Sequence, residues 1–124
     1  MNDMRRLPDA ELEVMKAVWD CEPPVSRSEL EHILKDSHPM APTTLLTLLS
    51  RLAERGFVGI EKAGRSARYT PLVSREAYLA AQSRSFLDKL CGGKLSVLAA
   101  ALCDSGRSRE EIEELRGLLE RDEL

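Results

Sequence analysis

Residues 42–70, which read PTTLLTLLSRLAERGFVGIEKAGRSARYT, contain the pattern that decides the fold. Pro42 suits the first position of a helix, because its fixed φ fits and its missing N–H is not needed there. Leucines at helical spacing follow, and Gly56 is predicted to end the helix in a left-handed conformation. After Gly56 the apolar residues alternate with a period of about two, as in a strand. This pattern predicts strands at 57–61 and 67–70 around a glycine-containing turn. The segment therefore predicts a helix followed by a β-hairpin.

Two further helices are predicted upstream of this segment. Asp9 is expected to cap the first helix. Two consecutive prolines, Pro23 and Pro24, end it, and a capping box at 26–29 opens the second helix. Val25 lies between them and is expected to form a very short strand. Three helices followed by a hairpin are typical of a winged helix-turn-helix.

Three more helices are predicted downstream of the hairpin. Ser74 caps the first, and two glycines, Gly92 and Gly93, separate it from the next. Residues 95–103 are apolar nearly all round, so this short helix is expected to be buried on several sides. A second capping box at 108–111 opens the last helix. Helices this short carry more apolar surface than they can bury alone, which predicts pairing with a second copy of the chain.

Length and composition agree with a small globular protein of two parts. The chain has 124 residues, of which 43% are hydrophobic and 31% charged. We expect a mainly α fold, with an N-terminal winged helix-turn-helix domain at 1–72 (three helices plus a β-hairpin wing) and a C-terminal three-helix dimerisation domain at 73–124. No apolar run is long enough for membrane insertion, and no secretory signal opens the chain, so the cytoplasm is the expected compartment. Three cysteines argue against a disulfide framework.

Charge is unevenly distributed along the chain, although the net charge is only −3. The stretch from Pro42 to Tyr69 has five Lys and Arg residues against two acids, a local charge of +3. From Ser108 to Leu124 there are three Arg residues against seven acids, a local charge of −4. Because the basic segment coincides with the helix and hairpin, it indicates double-stranded DNA as a partner.

The polar side of the helix at 42–55 is the candidate DNA-reading surface. An α-helix fits the major groove of B-DNA, and the N-terminal residues of the second helix of a helix-turn-helix contact base edges. Thr43, Thr44 and Thr47 lie there, with Arg51 one turn further on. The alternative is an ordinary solvated helix face. The basic hairpin that follows directly favours DNA.

Three cations, Lys62, Arg65 and Arg68, are the candidate contacts of the wing. We expect them to form a cationic tip on the glycine-containing turn and to contact phosphates or enter a narrow minor groove. The alternative is solubilising charge that protects an exposed sheet edge. Their place beside the reading helix favours the DNA role.

Apolar residues of the C-terminal helices are the candidate dimer contacts. For two of them, Tyr78 and Phe86, the protein core and the dimer interface are both open interpretations. The complete set is Tyr78, Phe86, Leu95, Leu98, Leu102, Ile112, Leu115, Leu118 and Leu119.

Catalysis and cofactor binding find no support in the pattern. No spacing resembles a zinc motif, and neither a Ser–His–Asp set nor a phosphate-binding loop is present, so we predict no enzyme, cofactor or metal. Cys91 and Cys103 lie on adjacent predicted elements, and a redox- or metal-responsive repressor that uses them is one alternative. A winged-helix protein-interaction module without DNA binding is another.

Stretches over nearly the whole chain match one known family. They are Leu7-Pro8-Asp9-Ala10-Glu11-Leu12-Glu13-Val14-Met15 with Val18-Trp19, Pro42-Thr43-Thr44 with Thr47, Leu52 and Gly56, Gly64-Arg65, Tyr69-Thr70-Pro71, Ser85-Phe86-Leu87, and Glu110-Glu111-Ile112 with Leu115. Together they resemble the bacterial penicillinase-repressor family, which includes the methicillin-resistance and copper-transport repressors.

The resemblance implies a homodimeric transcriptional repressor whose two reading helices occupy successive major grooves of a near-palindromic operator. It also implies control of antibiotic-resistance genes for β-lactams, together with a membrane-sensor metalloprotease. Cleavage of the dimerisation domain would separate the two linked half-site contacts and lower DNA affinity.

The chain departs from the family pattern at three places. Thr43 stands where members often have Lys, so one cationic contact is missing. Ala101-Leu102 stands where well-known members carry the Asn–Phe bond that is cleaved. The C-terminal Cys-X-Cys pairs of the copper-responsive branch are absent. The resemblance therefore indicates a repressor, whereas these departures leave its operator preference and its inducing signal open.

Overall fold

A computed structural model describes residues 5–106 and 108–120, and for Leu119 only the backbone. Within these residues it contains six helices and a small three-stranded sheet, which confirms the mainly helical prediction. The helices are α1 (Asp9–Trp19), α2 (Arg27–Ser37), α3 (Pro42–Glu54), α4 (Arg75–Leu90), α5 (Leu95–Asp104) and α6 (Arg109–Glu120). The strands are β1 (Val25–Ser26), β2 (Val58–Ala63) and β3 (Ser66–Pro71). The chain divides into two compact units, one ending at Gln82 and the other beginning at Ser83.

Helix α1 begins at the predicted residue, but Asp9 is not its cap. Pro8 holds the N-cap position, and the Leu12 N–H donates the first helical hydrogen bond to the Pro8 carbonyl at 2.9 Å. The prediction that Asp9 caps the helix is therefore wrong by one residue. Its carboxylate instead lies in the first turn, where a negative charge is favourable, 3.3 Å from Arg6.

Helix α3 is fixed at both ends by its own residues. Pro42 occupies the first turn, as predicted. At the other end Gly56 has φ 81°, and its N–H donates to the Ala53 carbonyl at 3.0 Å. The Phe57 N–H donates to the Leu52 carbonyl at 2.9 Å, which completes a Schellman motif. Phe57 lies between α3 and the wing, and its side chain is fully buried.

The wing is antiparallel and includes the predicted short strand. The strand order is β1-β3-β2, with Val25 opposite Tyr69 and Ile60 opposite the same Tyr69 on the other side. Pairing of β2 and β3 continues to Ala63 and Ser66, which leaves a two-residue turn. Gly64 in that turn has φ +66°, a conformation that glycine adopts without strain.

The beginning of α4 belongs to the first unit. Tyr78 is 4% exposed, and its ring lies 5.8 Å from that of Trp19. Its hydroxyl accepts a 2.8 Å hydrogen bond from the backbone N–H of Leu7. The indole of Trp19 donates to the Val73 carbonyl at 2.9 Å, while Arg75 lies over the indole. The unit therefore extends beyond the predicted boundary at residue 72, because α4 completes its core.

The second unit contains the end of α4 together with α5 and α6. The expectation that α5 is buried on several sides is wrong for the single chain, in which no residue of α5 is buried. Leu95 is 70% exposed and Val97 43% exposed. Cys91, just after α4, is buried. No helix in the described residues is long and apolar enough to cross a membrane.

Candidate nucleic-acid interface

The predicted reading residues share the outer side of α3. Thr43, Thr44, Thr47 and Arg51 are all exposed, whereas the leucines on the other side of the helix are buried. Buried residues three and four positions apart fix one side of a helix against the core, so the remaining positions face outward. In the part of the chain that the structure describes, the side chains of Thr44 and Arg51 make no hydrogen bond or ion pair. They are available to a ligand.

The hydroxyl of Thr47 is already used by the helix. Its Oγ1 donates a 3.0 Å hydrogen bond to the carbonyl of Thr43, one turn earlier. A threonine held in this way keeps its acceptor lone pairs and its methyl group for a partner, but its proton is engaged. Thr47 therefore offers mainly an apolar contact.

The three wing cations occupy different positions along the hairpin. Arg65 lies in the turn, whereas Lys62 lies on β2 opposite Ala67 and Arg68 lies on β3 opposite Glu61. The expectation of one cationic tip is wrong in this respect, because strand pairing continues further toward the turn than the sequence pattern indicated. Lys62 and Arg65 are exposed, and Arg68 is partly buried.

A concavity of about 260 Å³ brings two of these cations together with residues of α2 and α3. It is lined by Ser26, Arg27, Ser28, Leu46, Arg65, Ser66, Ala67, Arg68 and Tyr69. Neither Arg27 nor Leu46 was predicted from the sequence as a site residue. The signal for Leu46 was present in its spacing, since it follows Thr43 by three residues and so shares its side of the helix.

Positive charge dominates the lining of this concavity. Three arginines contribute to it, and among the described residues only Arg27 of the three forms an ion pair, with its Nε 3.3 Å from the Glu31 Oε1. Burial raises the pKa of Tyr69, an effect that the positive charge of Arg27 opposes. The phenol therefore stays protonated near neutral pH, and the concavity remains cationic. Such a surface suits an anionic ligand such as a phosphate backbone.

The predicted dimer contacts differ in how far they are buried. Tyr78 lies in the core of the first unit, so of its two interpretations the core is the one observed. Phe86 is 48% exposed and Leu95 is 70% exposed. Five others, Leu98, Leu102, Ile112, Leu115 and Leu118, are partly buried. The side chain of Leu119 lies outside the described residues.

The cysteines are all free thiols in different surroundings. Cys91 is buried and Cys103 is exposed. Burial raises the pKa of the Cys21 thiol, and the negative charges of Glu29 and Asp20 raise it further. Among residues 5–106 and 108–120, no three side chains of His, Cys, Asp and Glu gather as metal ligands.

Comparison with known proteins identifies relatives over nearly the full length. A chain from Bacillus licheniformis named penicillinase repressor is 33% identical over 121 residues, covering 97% of this chain and 94% of that one. The methicillin resistance regulatory protein MecI of Mammaliicoccus sciuri is 29% identical over 119 residues, covering 95% and 96%.

Solved structures point in the same direction. The solution structure of the DNA-binding domain of the repressor BlaI has a TM-score of 0.54 and 33% identity, covering 63% of this chain and 94% of that one. The monomeric form of Bacillus licheniformis BlaI in complex with the blaP half-operator has a TM-score of 0.51 and 33% identity, with the same coverage. The model of the penicillinase repressor family matches residues 7–121, and the chain belongs to that family.

Proposed function

We propose that this chain is a homodimeric, sequence-specific repressor of transcription that binds double-stranded operator DNA. The observation that carries the proposal is the exposed polar side of α3 beside a concavity lined by three arginines. A helix enters the major groove, and cations beside it contact the phosphates. Membership of the penicillinase repressor family supports this function, as does the half-operator complex of the related BlaI.

Each predicted site residue has a role in this proposal. Thr43, Thr44 and Thr47 contact base edges in the major groove, and Arg51 contacts a guanine or a phosphate. Arg65 in the turn reaches phosphates or the adjacent minor groove, where a narrow groove concentrates negative potential. Lys62 and Arg68, on the strands, add phosphate contacts.

Two copies of the chain would pair through the second unit. Phe86 and Leu95 leave large apolar surfaces exposed in the single chain, and α5 has no buried residue. Burying such surface against a second copy is favourable, because removal of apolar area from water drives association. The proposed interface also includes Leu98, Leu102, Ile112, Leu115 and Leu118. A pair of chains would match a near-palindromic operator.

Relief of repression is proposed to follow cleavage of the second unit by a membrane-sensor metalloprotease, with β-lactam resistance genes as the regulated targets. The bond between Ala101 and Leu102 lies inside α5 rather than in a loop. A protease needs an extended segment, so this bond becomes a substrate only after α5 opens locally. In the single chain α5 has no buried residue to oppose such opening, whereas pairing through Leu95, Leu98 and Leu102 would oppose it.

The proposal is tested by selecting bound fragments from the source genome with the full-length chain at moderate salt. We expect one family of near-palindromic sites, with half-site centres separated by multiples of about 10.5 base pairs, since each reading helix must enter the same side of the duplex. The promoters recovered would identify the regulated genes.

The matched control is the chain ended after Gln82, which retains the complete core of the first unit. It should select the same half-site with much lower affinity for the full palindrome, because the two contacts are no longer linked. Recovery of nothing above background by the full-length chain at low salt would overturn the proposal and favour a protein-interaction module.

A further inference from the structure

One side of α3 combines polar residues with a single large apolar residue. Thr43, Leu46, Thr47 and Ser50 are spaced three, four and seven residues apart, so they form one stripe along the helix. All four are exposed. Leu46 is 38% exposed, whereas Leu45 is 1% exposed in the core. Leu45 lies about 150° around the helix from the centre of the stripe.

The exposed position of Leu46 is not explained by the core of the first unit. The core side of α3 already has four buried leucines, and Leu46 is not one of them. Instead it lines the concavity together with Ala67 and Tyr69 and with the cations Arg27, Arg65 and Arg68. An apolar group beside cations suits a partner that offers both apolar and anionic groups, as the major groove of DNA does.

The neighbouring Thr47 extends this apolar surface. Because its Oγ1 donates to the Thr43 carbonyl at 3.0 Å, the groups it offers without breaking that bond are its methyl and the acceptor lone pairs of its oxygen. Leu46 and the methyl group of Thr47 are therefore two apolar groups within the otherwise polar stripe.

We propose that Leu46 reads the C5-methyl group of a thymine in the major groove of the operator. This inference rests on the proposed function and adds a residue that determines base specificity. The thymine methyl is the apolar group that base pairs present in the major groove, and cytosine lacks it. Arg65 and Arg68, which share the concavity, would contact the flanking phosphates and hold Leu46 against the base.

The test replaces each thymine of a selected operator by uracil, one symmetric pair at a time. This change deletes only the methyl group, so neither protein folding nor base pairing is disturbed. We expect one thymine in each half-site at which uracil weakens binding roughly fourfold per half-site, the effect of one buried group of methyl size. In Leu46→Ala the same uracil substitution should have no further effect.

Two variants make the assignment specific. Leu46→Met keeps an apolar side chain of similar volume and should retain most of the uracil effect. Leu79→Ala removes an exposed leucine of α4, 56% exposed, and should leave both operator affinity and the uracil effect unchanged.

The outcomes separate this inference from the function on which it rests. If the wild-type chain binds its operator but uracil has no effect at any position, or has an equal effect in Leu46→Ala, then Leu46 does not read a thymine methyl. If the wild-type chain selects no DNA at all, the proposed function itself fails, and the reading of thymine fails with it.

Discussion

Thr47 illustrates how one side chain can serve both the helix and a ligand. Its hydroxyl closes a 3.0 Å hydrogen bond with the carbonyl of Thr43, and this bond restrains the side chain before any partner arrives. A restrained side chain loses less conformational entropy on binding than a free one. Under the proposed function, the methyl group is then the part of Thr47 that contacts a base.

This arrangement predicts that Thr47→Val binds the operator more tightly than Thr47→Ser does. Thr47→Val keeps the methyl group and the β-branched shape, so we expect its operator affinity to fall by less than about threefold. Thr47→Ser keeps the hydroxyl but loses the methyl, and we expect a loss of roughly fourfold per half-site. Titration with the selected operator and with unrelated DNA measures both. A larger loss for Val than for Ser would mean that the hydroxyl itself contacts a base.

The threonines and the cations were predicted from the sequence, whereas Leu46 was not, although its spacing from Thr43 indicated its exposed side of the helix. Thr43 and Thr47 are polar and lie opposite a leucine stripe, so their exposure follows from the helical period. Leu46 sits in a run of leucines, where composition alone indicates a core residue, and only its spacing from Thr43 places it outside. Whether Lys62 lies on a strand or in the turn depends on the length of the turn. The five residues from 62 to 66, with Gly64 in the middle, allow turns of different lengths, so the sequence leaves this length open.

At the scale of elements, an ion pair joins α1 to the end of α3. Glu11 is 2% exposed, and its Oε1 accepts from the Arg55 Nε at 3.3 Å. Arg55 follows α3 directly and is 35% exposed, so water reaches one partner of the pair but hardly the other. The pair ties the far end of the reading helix to the helix behind it.

Removing Arg55 should be costly for stability, because it leaves the Glu11 carboxylate buried without its partner. We expect Arg55→Ala to lower the free energy of unfolding by about 2 kcal/mol, less than for a fully buried pair since Arg55 is partly hydrated. Urea unfolding measures the change. The control is Lys16→Ala, which breaks an exposed pair with Glu13 and should cost less than about 1 kcal/mol. Equal losses in the two variants would show that burial of Glu11 is not the cause.

The ends of the elements were predicted best where local chemistry fixes them. The capping box of α2 forms as expected, since the Glu29 N–H donates to the Ser26 Oγ at 3.2 Å and the Ser26 N–H donates to the Glu29 carboxylate. The start of α1 depends instead on the backbone carbonyl of Pro8. Every residue has such a carbonyl, so the residue type does not indicate which one accepts the first helical hydrogen bond. Asp9 was therefore placed one position too early in the helix.

At the scale of the whole molecule, the two units differ in how completely they bury their apolar side chains. The first unit closes around residues such as Phe57 and Tyr78, whereas Phe86 and Leu95 of the second remain largely exposed. The sequence predicted the helices of the second unit and their excess of apolar surface. It did not predict where the first unit ends, because the role of Tyr78 depends on its packing against Trp19, far away in sequence.

A charge placed on the exposed apolar surface of the second unit should separate the proposed dimer. In Phe86→Asp, pairing would have to bury a carboxylate in apolar surroundings, so we expect the dissociation constant of the dimer to rise by more than about tenfold. Sedimentation equilibrium measures this constant directly.

Leu72→Asp provides the control for this charge. Leu72 is 58% exposed but belongs to the first unit, so its replacement should leave the dimer intact. Weakening of the dimer in both variants, or in neither, would contradict pairing through the second unit.

The hydrogen bond between Tyr78 and Leu7 means that the core of the first unit is closed before the second unit begins at Ser83. A chain severed within α5 would therefore release a folded fragment with its reading helix and wing intact. Under the proposed function this fragment would compete with uncut chains for half-sites, at an affinity set by a single contact. Induction would then be graded rather than abrupt, and its return to the repressed state would wait for the fragments to be degraded or diluted by growth.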